Sequence, residues 1–467
     1  MTPAALRVVG GGLAGCEAAW QAANRGIDVE LFEQRPLSRS PAHAGDGLAE
    51  LVCSNSLRGA ALENAVGLLK EELALADSLI VTSARATAVP AGGALAVDRV
   101  RFSALVEERL AAHPRVRIVR TEVGDVDPGV PTIVACGPLP SAALTAAIDA
   151  LLAGHTAGAS GRRRLHYYDA ASPIVSADSL DESAMYRKSR YERGDGDDYL
   201  NIPLDRDAYE RFVRDLRELP RHEPKEFERV APGGIPYFEG CLPIEEMADR
   251  GDDALRFGPM KPVGLRHPVT GKTPYAVVQL RRENAAGTAY NLVGFQTRLT
   301  WPAQREAFGR LPGLANAEWL RFGVMHRNTF IDSPRLLDAE LRLRGADCTW
   351  FAGQITGAEG YVEAAACGAI AGISAAARAH GAPPPAVPAD TALGAIVAHL
   401  QNATTADFQP ANVTWAWFSP LEPHLFTRDK RERRRRMAAR ALQYVQEWLA
   451  EVSPTASERR RLAVAGA

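Results

Sequence analysis

The sequence predicts an α/β protein: a Rossmann-type fold of the two-dinucleotide-binding-domain kind that carries a smaller α+β insertion. Three observations favour this class. A glycine-rich strand–loop–helix–strand unit opens the chain at residues 6–33, and a second glycine-bearing strand–helix unit follows at residues 348–372. Between about residues 190 and 318 the chain is polar, punctuated by proline and glycine, and contains alternating apolar and polar runs typical of antiparallel strands.

Size and composition limit the possible functions. A chain of 467 residues predicts two or three structural units. The formal net charge of -2 excludes a uniformly basic surface, so that any nucleic-acid site must be a local basic patch. The six cysteines form no CxxC pair, so we expect no metal site and a reducing cytoplasmic location. We also expect no leader segment and no contact with a membrane.

The opening unit predicts a dinucleotide site. The strand Leu6–Val9 leads into Gly10, Gly11, Gly12, Leu13, Ala14 and Gly15, and a helix and a second strand ending at Glu33 follow. Gly10 permits the tight turn, Gly12 leaves room for a pyrophosphate, and Gly15 allows close packing of helix and strand. Glu33 can accept hydrogen bonds from ribose hydroxyls. The alternative is an ordinary glycine-rich turn, but strand, loop, helix, strand and acid agree with one another.

Later segments indicate which dinucleotide is bound. One fingerprint without a second copy favours tightly held FAD over an NAD(P) site. The late unit continues this pattern, with Gly353, Gln354 and Gly360 before a small-residue helix that begins near Tyr361. In FAD proteins such a helix points its N-terminus at the flavin and stabilises negative charge there. Gly137, in the segment TIVACGPLP, occupies a similar strand-and-turn, for which an ordinary buried strand is the alternative.

These segments predict a discontinuous FAD-binding domain. We expect its first part at residues 1–189 and its second part, with a C-terminal helix, at residues 319–452. An insertion or substrate domain would occupy residues 190–318, and a flexible tail would occupy residues 453–467. Trp415 and Trp417, two residues apart, predict one face of a strand.

Two cysteines stand apart from the rest. Cys53, in LVCSNSLRG, and Cys241, in FEGCLPIEE, both lie in polar, loop-like sequence, where a thiol is available for chemistry. The other cysteines lie in apolar strands or small-residue helices and are expected to be small buried side chains.

Seven motifs carry a resemblance to a known family. They are GGGLAGCEAA, ELVCSNSLRG, YYDAASPIV, FEGCLPIEEMA, GPMKPVGL, FAGQITGAEGYVEAAACG and DFQPANV. In this order the chain, from about residue 5 to about residue 450, resembles the folate- and flavin-dependent tRNA (uracil-5-)-methyltransferases, called TrmFO. The resemblance implies a bacterial enzyme that makes ribothymidine in the T-loop of tRNA. It also implies 5,10-methylenetetrahydrofolate as one-carbon donor, FAD as cofactor and NAD(P)H as reductant.

The same resemblance implies catalytic roles for both thiols, with Cys241 as nucleophile and Cys53 as the second catalytic thiol. The chemistry agrees with this assignment. C5 of uracil becomes nucleophilic only after a thiolate adds at C6, and the C5 proton must then be removed by a base, a task within reach of a second thiolate. Two separate cysteines, rather than a redox pair, meet this need.

Substrate contacts and rival functions remain open at this stage. Lys261 and Arg281 could pair with folate carboxylates or RNA phosphates, or could be ordinary surface cations. Arg433 and Arg434, in the basic run before the last helix, could neutralise RNA phosphates or form a solvated helix face. Tyr361 could stack on the flavin or pterin, or pack in the core.

The alternatives to a tRNA T-loop target are a ribosomal RNA uridine and a wobble uridine modified by an MnmG-like flavoenzyme. Other classes are a flavin-containing RNA-binding factor without turnover and a plain NAD(P)H–flavin oxidoreductase. Oligomeric state and the preference for NADH or NADPH are left open.

Overall fold

The computed structural model of the protein describes residues 6–155, 164–222, 242–402 and 408–452. The strands are β1 Leu6–Val9, β2 Val29–Glu33, β3 Ser56–Gly59, β4 Ala88–Val89, β5 Ala94–Val97, β6 Val116–Arg120, β7 Thr132–Val134, β8 Arg164–Ala170, β9 Ile174–Ser176, β10 Tyr186–Arg187, β11 Tyr199–Leu204, β12 Ala276–Arg282, β13 Ala289–Leu292, β14 Trp319–Arg321, β15 Met325–Ile331 and β16 Thr349–Phe351. The helices are α1 Leu13–Ala23, α2 Ala65–Leu75, α3 Leu79–Ala86, α4 Arg99–Ala112, α5 Ala142–His155, α6 Arg206–Glu218, α7 Ile244–Asp249, α8 Ala254–Phe257, α9 Trp301–Gly309, α10 Ser333–Leu336, α11 Tyr361–Ala379, α12 Ala392–Leu400 and α13 Lys430–Val452.

A five-stranded parallel sheet forms the centre of the fold. Its strand order is β16–β7–β1–β2–β6, and every pair in it is parallel. The chain proceeds from β1 to β2 in one direction and places β7 and β16 on the other side of β1. The order therefore reverses between β1 and β7, which in open parallel sheets is where ligands bind, beyond the carboxyl ends of the strands. The predicted α/β class is confirmed.

Two small-residue helices pack closely on this sheet. A Cβ added to Gly368 of α11 would lie 2.2 Å from the carbonyl oxygen of Ala14 in α1, and one added to Gly372 would lie 2.5 Å from that of Ala18. Glycine at these positions is therefore what brings the helices together. Among the described residues, α11 is long and apolar enough to cross a membrane by length and composition, but 83% of its apolar window is buried inside the fold.

A second sheet, antiparallel, has the order β10–β11–β12–β13–β9–β14. The two strands expected near residues 272–300 are β12 and β13, which pair antiparallel with Leu280 opposite Leu292. Alternate side chains such as Val278 and Leu280 join an apolar core with α6 and α9. The side chains between them, including Gln279 and Arg281, are polar yet buried, so the other face of this sheet is covered as well.

The strands of the antiparallel sheet come from residues 174–321. The division of the chain into domains with limits at 189, 318 and 452 stays a prediction, and the expected tail at 453–467 lies outside the described residues.

The last helix packs on α2 through one stripe. Met437, Ala441, Val445 and Trp448 are buried, at the spacing that places residues on one face of a helix. The strand expected around Trp415 and Trp417 is wrong: residues Trp415–Trp417 form one 3-10 turn, which the hydroxyl of Thr414 caps.

Candidate functional site

A cleft opens at the carboxyl ends of β1, β2 and β7, at the strand-order reversal. About 1040 Å³ in and directly before it, open solvent included, is not filled by protein atoms. The residues predicted to contact the cofactor that line it are Gly10, Gly11, Gly12, Leu13, Ala14, Glu33, Gly137, Gly353, Gln354 and Tyr361. The tertiary fold thus brings three distant segments of the sequence, near residues 10, 137 and 353, to one wall.

The glycines of the first loop have different structural surroundings. Gly10 adopts a φ of +111°, and a Cβ there would lie 2.5 Å from the carbonyl oxygen of Ala135. A Cβ on Gly15 would lie 1.8 Å from the carbonyl oxygen of Gly10, so Gly15 serves the packing of α1 and does not line the cleft. Around a Cβ on Gly12, no described atom lies within 4 Å. Gly12 therefore borders open space.

The amino terminus of α1 faces this open space. Gly12 is its N-cap, and no described side chain caps the helix there. The first amides of a helix carry partial positive charge and lack intrahelical acceptors, which suits them to bind phosphate. The wall formed by Gly12 and α1 therefore fits a pyrophosphate.

Glu33 is held by partners that the sequence did not reveal. Its carboxylate accepts hydrogen bonds from the Gly11 amide at 2.9 Å and from the amide, Nε and Nη2 of Arg35 at 2.9, 2.8 and 3.0 Å. Burial raises the pKa of Glu33, but these bonds and the charge of Arg35 lower it by more, so that the pKa lies below its ordinary value. A carboxylate offers about four lone-pair positions, and all are in use here. Its role as a ribose acceptor stays a prediction.

Arg35 is one of the cleft residues that sequence reasoning missed. It is 2% exposed, and its Nη1 also donates to Glu50 Oε2 at 3.1 Å. His43, on the same wall, has a pKa below its ordinary value because of burial and the nearby charge of Arg35. The only sequence signal was the position of Arg35 two residues after the predicted acid.

The second and third segments reach the cleft through glycines at positive φ. Gly137 has a φ of +67° and no described atom within 4 Å of an added Cβ. Gly353 has a φ of +83°, and a Cβ there would lie 2.7 Å from the Cβ of Ala14. The side chain of Gln354 donates to both carboxylate oxygens of Glu359 at 2.9 Å. Gly360, with a φ of +108°, turns the chain into α11 without lining the cleft.

Cys53 lies next to the cleft, because its neighbour Val52 lines it. The Cys53 amide donates to the hydroxyl of Tyr361 at 2.8 Å, and the Ser54 amide donates to the same oxygen at 3.2 Å. The Cys53 thiol is half-buried and donates to the carbonyl oxygen of Ala170 at 3.6 Å. Tyr361, the first residue of α11, thereby joins the thiol segment to the cofactor cleft.

Charged groups surround this thiol. Burial raises the pKa of Tyr361, and the charge of Cys53 raises it further. Arg321 donates to the carbonyl oxygen of Ala42, at 3.2 Å, and has a lowered pKa because of burial and the charge of Arg99. Both Arg99 and Arg321 interact electrostatically with Cys53.

The sequence of this chain is similar to those of known proteins. The chain matches the glucose inhibited division protein A family over residues 5–383. It is 54% identical over 454 residues to the methylenetetrahydrofolate–tRNA-(uracil-5-)-methyltransferase TrmFO of Pelobacter propionicus. This alignment covers 97% of this chain and 96% of that protein. The protein of the same name from Geobacter sulfurreducens is 54% identical over 448 residues, covering 96% and 99%. The chain belongs to the TrmFO family.

Two solved structures share the fold of this chain. Two crystal forms of Aquifex aeolicus GidA give TM-scores of 0.67 and 0.66, with 16% and 15% identity, over 99% of this chain. The match covers 76% and 78% of those longer chains. At this identity the likeness shows a shared fold.

The second predicted thiol of this TrmFO family member, Cys241, lies outside the described residues. The chain re-enters the described part at Leu242, which is buried, and the amide of Ile244 donates to the carbonyl oxygen of Gln296 at 2.7 Å. That Cys53 and Cys241 converge on one face of the cofactor stays a prediction.

The predicted substrate contacts lie in different surroundings. Arg281 is 6% exposed and donates to Asn55 and Ser54. Lys261 is half-buried, and its carbonyl oxygen accepts a hydrogen bond from Arg190. The guanidinium of Arg433 lies 5.7 Å from the ring centre of Phe426. Contacts of these residues and of Arg434 with folate or RNA stay predictions.

Within the described part of the chain, no three His, Cys, Asp or Glu side chains are grouped so that they could hold a metal ion.

Proposed function

We propose that this protein methylates C5 of a T-loop uridine in tRNA, giving ribothymidine, with 5,10-methylenetetrahydrofolate as carbon donor and FAD as cofactor. NAD(P)H is the reductant that returns FAD to its reduced state. The reaction takes place in the cytoplasm, where tRNA, folate and NAD(P)H are present together. Relatives that are 54% identical over nearly the whole chain bear the name of this activity.

The observation that carries the proposal is the position of Cys53. Its amide is bonded to the hydroxyl of Tyr361, and both Tyr361 and Val52 line the dinucleotide cleft. A plain NAD(P)H–flavin oxidoreductase has no use for a single thiol fixed at this place. A methyltransferase that must remove a proton from C5 of uracil does.

The cleft fits FAD. The open space at Gly12 and Gly137, together with the uncapped amino terminus of α1, receives a pyrophosphate without displacing a described side chain. When bound, reduced FAD supplies the hydride that converts the transferred methylene into a methyl group. The protein contributes the wall, formed by the loops at residues 10–14 and 353–354, that holds the cofactor.

The two thiols have separate tasks. Cys241 forms a bond from its sulfur to C6 of the uracil, and the electron pair moved to C5 then attacks the methylene carbon. Cys53 takes the proton from C5, and the electron pair left there expels the folate nitrogen from the methylene carbon. A hydride added to that carbon, which reduced FAD would supply, makes it a methyl group, and the electron pair returned to the ring breaks the bond between C6 and the Cys241 sulfur. Arg99 and Arg321 assist because nearby positive charge stabilises the thiolate that accepts the proton.

The test is an incubation of the flavin-loaded protein with methylenetetrahydrofolate, NAD(P)H and an unmodified tRNA transcript. Nuclease digestion and mass spectrometry then map the ribothymidine. We expect one new methyl group, in the T-loop. Cys53→Ala and Cys241→Ala should each lower methyl transfer by about 100-fold or more, because each removes a reacting group.

Cys348→Ala is the matched control. This thiol is half-buried and donates to the carbonyl oxygen of Pro128, and it does not line the cleft. Its loss should leave methyl transfer unchanged. Methylation of a ribosomal RNA fragment in place of tRNA would reassign the substrate, and full activity in Cys53→Ala would refute the base assignment.

A further inference from the structure

The segment that carries Cys53 is tied to the antiparallel sheet. Arg281 of β12 donates from Nε to Asn55 Oδ1 at 2.9 Å and from Nη2 to Ser54 Oγ at 3.0 Å. The planar guanidinium can bridge both acceptors at once because its donors are fixed in a fork. Strand β12 thus contacts the two residues that directly follow Cys53.

Asn55 passes this contact on to the backbone. It is fully buried, and its Nδ2 donates to the carbonyl oxygens of Val97 and Arg282 at 3.0 and 2.8 Å. Its own carbonyl oxygen accepts from the Val97 amide at 2.9 Å. With the side chain and the carbonyl oxygen of Asn55 engaged, residue 55 has a fixed position relative to strands β5 and β12.

A buried ion pair holds the other end of the segment. Arg99 donates to Glu283, one residue beyond β12, at 2.5 and 3.3 Å, with side chains only 15% and 6% exposed. Arg99 also donates to the carbonyl oxygen of Leu51 and, at 3.4 Å, to that of Cys53. Arg281 and Glu283 therefore both hold the Cys53 segment, Arg281 directly and Glu283 through Arg99.

The two peptide groups of Cys53 are therefore fixed from opposite sides. Its amide is bonded to Tyr361 and its carbonyl oxygen to Arg99. With the backbone held, the sulfur is confined to staggered χ1 positions, so the direction of the thiol depends on this frame.

Stability alone does not account for the choice of arginine at 281. Its hydrogen bonds go to the neutral acceptors Asn55, Ser54 and Asn291, while the carboxylate of Glu283 interacts with it through charge but forms its ion pair with Arg99. A buried charge is costly to desolvate, and apolar side chains of similar volume often give equal or greater stability.

We propose that Arg281 and Glu283 are positioning residues that aim the Cys53 thiol at the cofactor cleft, and that Arg281 does not contact substrate. This rests on the proposed function, in which Cys53 removes the C5 proton. The antiparallel sheet is then part of the catalytic apparatus through the thiol it holds.

The test uses Arg281→Ala, Asn55→Ala and the double variant in the full chain loaded with FAD. One readout is kcat and KM for tRNA methylation. The other is the rate at which iodoacetamide alkylates Cys53, measured by peptide mass spectrometry with Cys348 as internal reference. Arg310→Gln is the matched control, since this exposed arginine of the antiparallel-sheet unit pairs with Asp215 and Glu306.

Each single variant should lower kcat by about 10- to 100-fold, because misplacing a reacting group is costly, with KM for tRNA changed less than about threefold. The Cys53 alkylation rate should change by about threefold or more relative to Cys348. In the double variant the two effects on kcat should be less than multiplicative, because the two side chains share the bond between Arg281 and Asn55, although each also has partners of its own. Arg310→Gln should match the wild type.

Three results would overturn the proposal: kcat within about twofold of wild type in Arg281→Ala, effects that multiply in the double variant, or unchanged alkylation of Cys53. If Arg281→Ala does not fold, Arg281→Lys replaces it, since lysine keeps the charge but lacks the fork; full kcat in that variant would refute the positioning role. If the wild type methylates no RNA, the proposed function fails, and the alkylation rates still decide whether Arg281 positions the thiol.

Discussion

Replacement by alanine should have different effects at two glycines of the first loop, on cofactor binding at Gly12 and on stability at Gly10. Gly12→Ala places a methyl group in the open space of the cleft, where no described atom lies within 4 Å. Gly10→Ala places it 2.5 Å from the carbonyl oxygen of Ala135, on a backbone with a φ of +111°. The first change should damage cofactor binding, and the second should damage the fold.

The magnitudes follow from this geometry. Gly12 has φ -78° and ψ -172°, which alanine adopts without strain, and such a replacement stabilises the folded chain by about 0.4–1 kcal/mol. The same methyl group prevents close approach of the pyrophosphate. We therefore expect FAD to bind about 100-fold more weakly, which corresponds to about 2.7 kcal/mol. Gly10→Ala adds about 1–3 kcal/mol of backbone strain to a backbone clash, a large part of a stability of about 5–15 kcal/mol.

The assay compares flavin content with stability of the flavin-free protein. Flavin per chain is read from the absorbance of purified protein, and the thermal midpoint is read after the flavin is removed. Gly12→Ala should lose flavin and have an equal or slightly higher midpoint, whereas Gly10→Ala should have a lower midpoint. The reasoning is refuted if Gly12→Ala keeps full flavin, or if both variants lose the same stability.

Two further predictions concern groups away from the cleft. Glu72 accepts hydrogen bonds from the Ala392 and Leu393 amides, and burial raises its pKa from 4.5 to about 8. Between pH 4.5 and 8 the folded state therefore keeps a proton that the unfolded state has released. The free energy of unfolding should fall as pH rises, by about 1.4 kcal/mol per pH unit more than in Glu72→Gln. Equal dependence of the unfolding free energy on pH in the two proteins, measured by denaturant titration from about pH 5 to 8, would contradict this. Arg434→Gln should raise KM for tRNA a few-fold and make KM less dependent on salt, because Arg434 forms no ion pair with a described residue and its charge is available to a phosphate. The control is Arg431→Gln, since Arg431 pairs with Glu63. Equal effects of both changes would argue against a phosphate contact at Arg434.

Local sequence was enough for the cofactor loop. The strand, the glycine turn, the helix and the second strand all lie within residues 6–33. Gly10 needs a positive φ and Gly15 needs space beside the carbonyl of Gly10. Such requirements leave a direct mark on residue type, so the pattern could be recognised without knowledge of the rest of the chain.

Residues whose surroundings come from distant segments were harder to predict. Arg281 alternates with apolar residues on a strand, which is typical of a solvent-facing position, yet the loop at residues 54–55 covers it. Trp415 and Trp417 have the spacing of one strand face, but the hydroxyl of Thr414 caps a turn there and the Trp415 indole donates to the carbonyl oxygen of Glu63. A spacing of two cannot distinguish these cases.

The sequence by itself determined the α/β class, the dinucleotide loop and the second segment near residue 353 that returns to this loop. It also indicated the family of the chain, through motifs that include the two cysteines. Only the tertiary structure decided which partners surround Glu33 and Cys53. The carboxylate is engaged by Arg35, and the Cys53 segment is fixed between Tyr361, Arg99 and Arg281. The physical reason is range: backbone conformation and periodicity act within a few residues, whereas a buried hydrogen bond joins whichever segments the sheet order brings together.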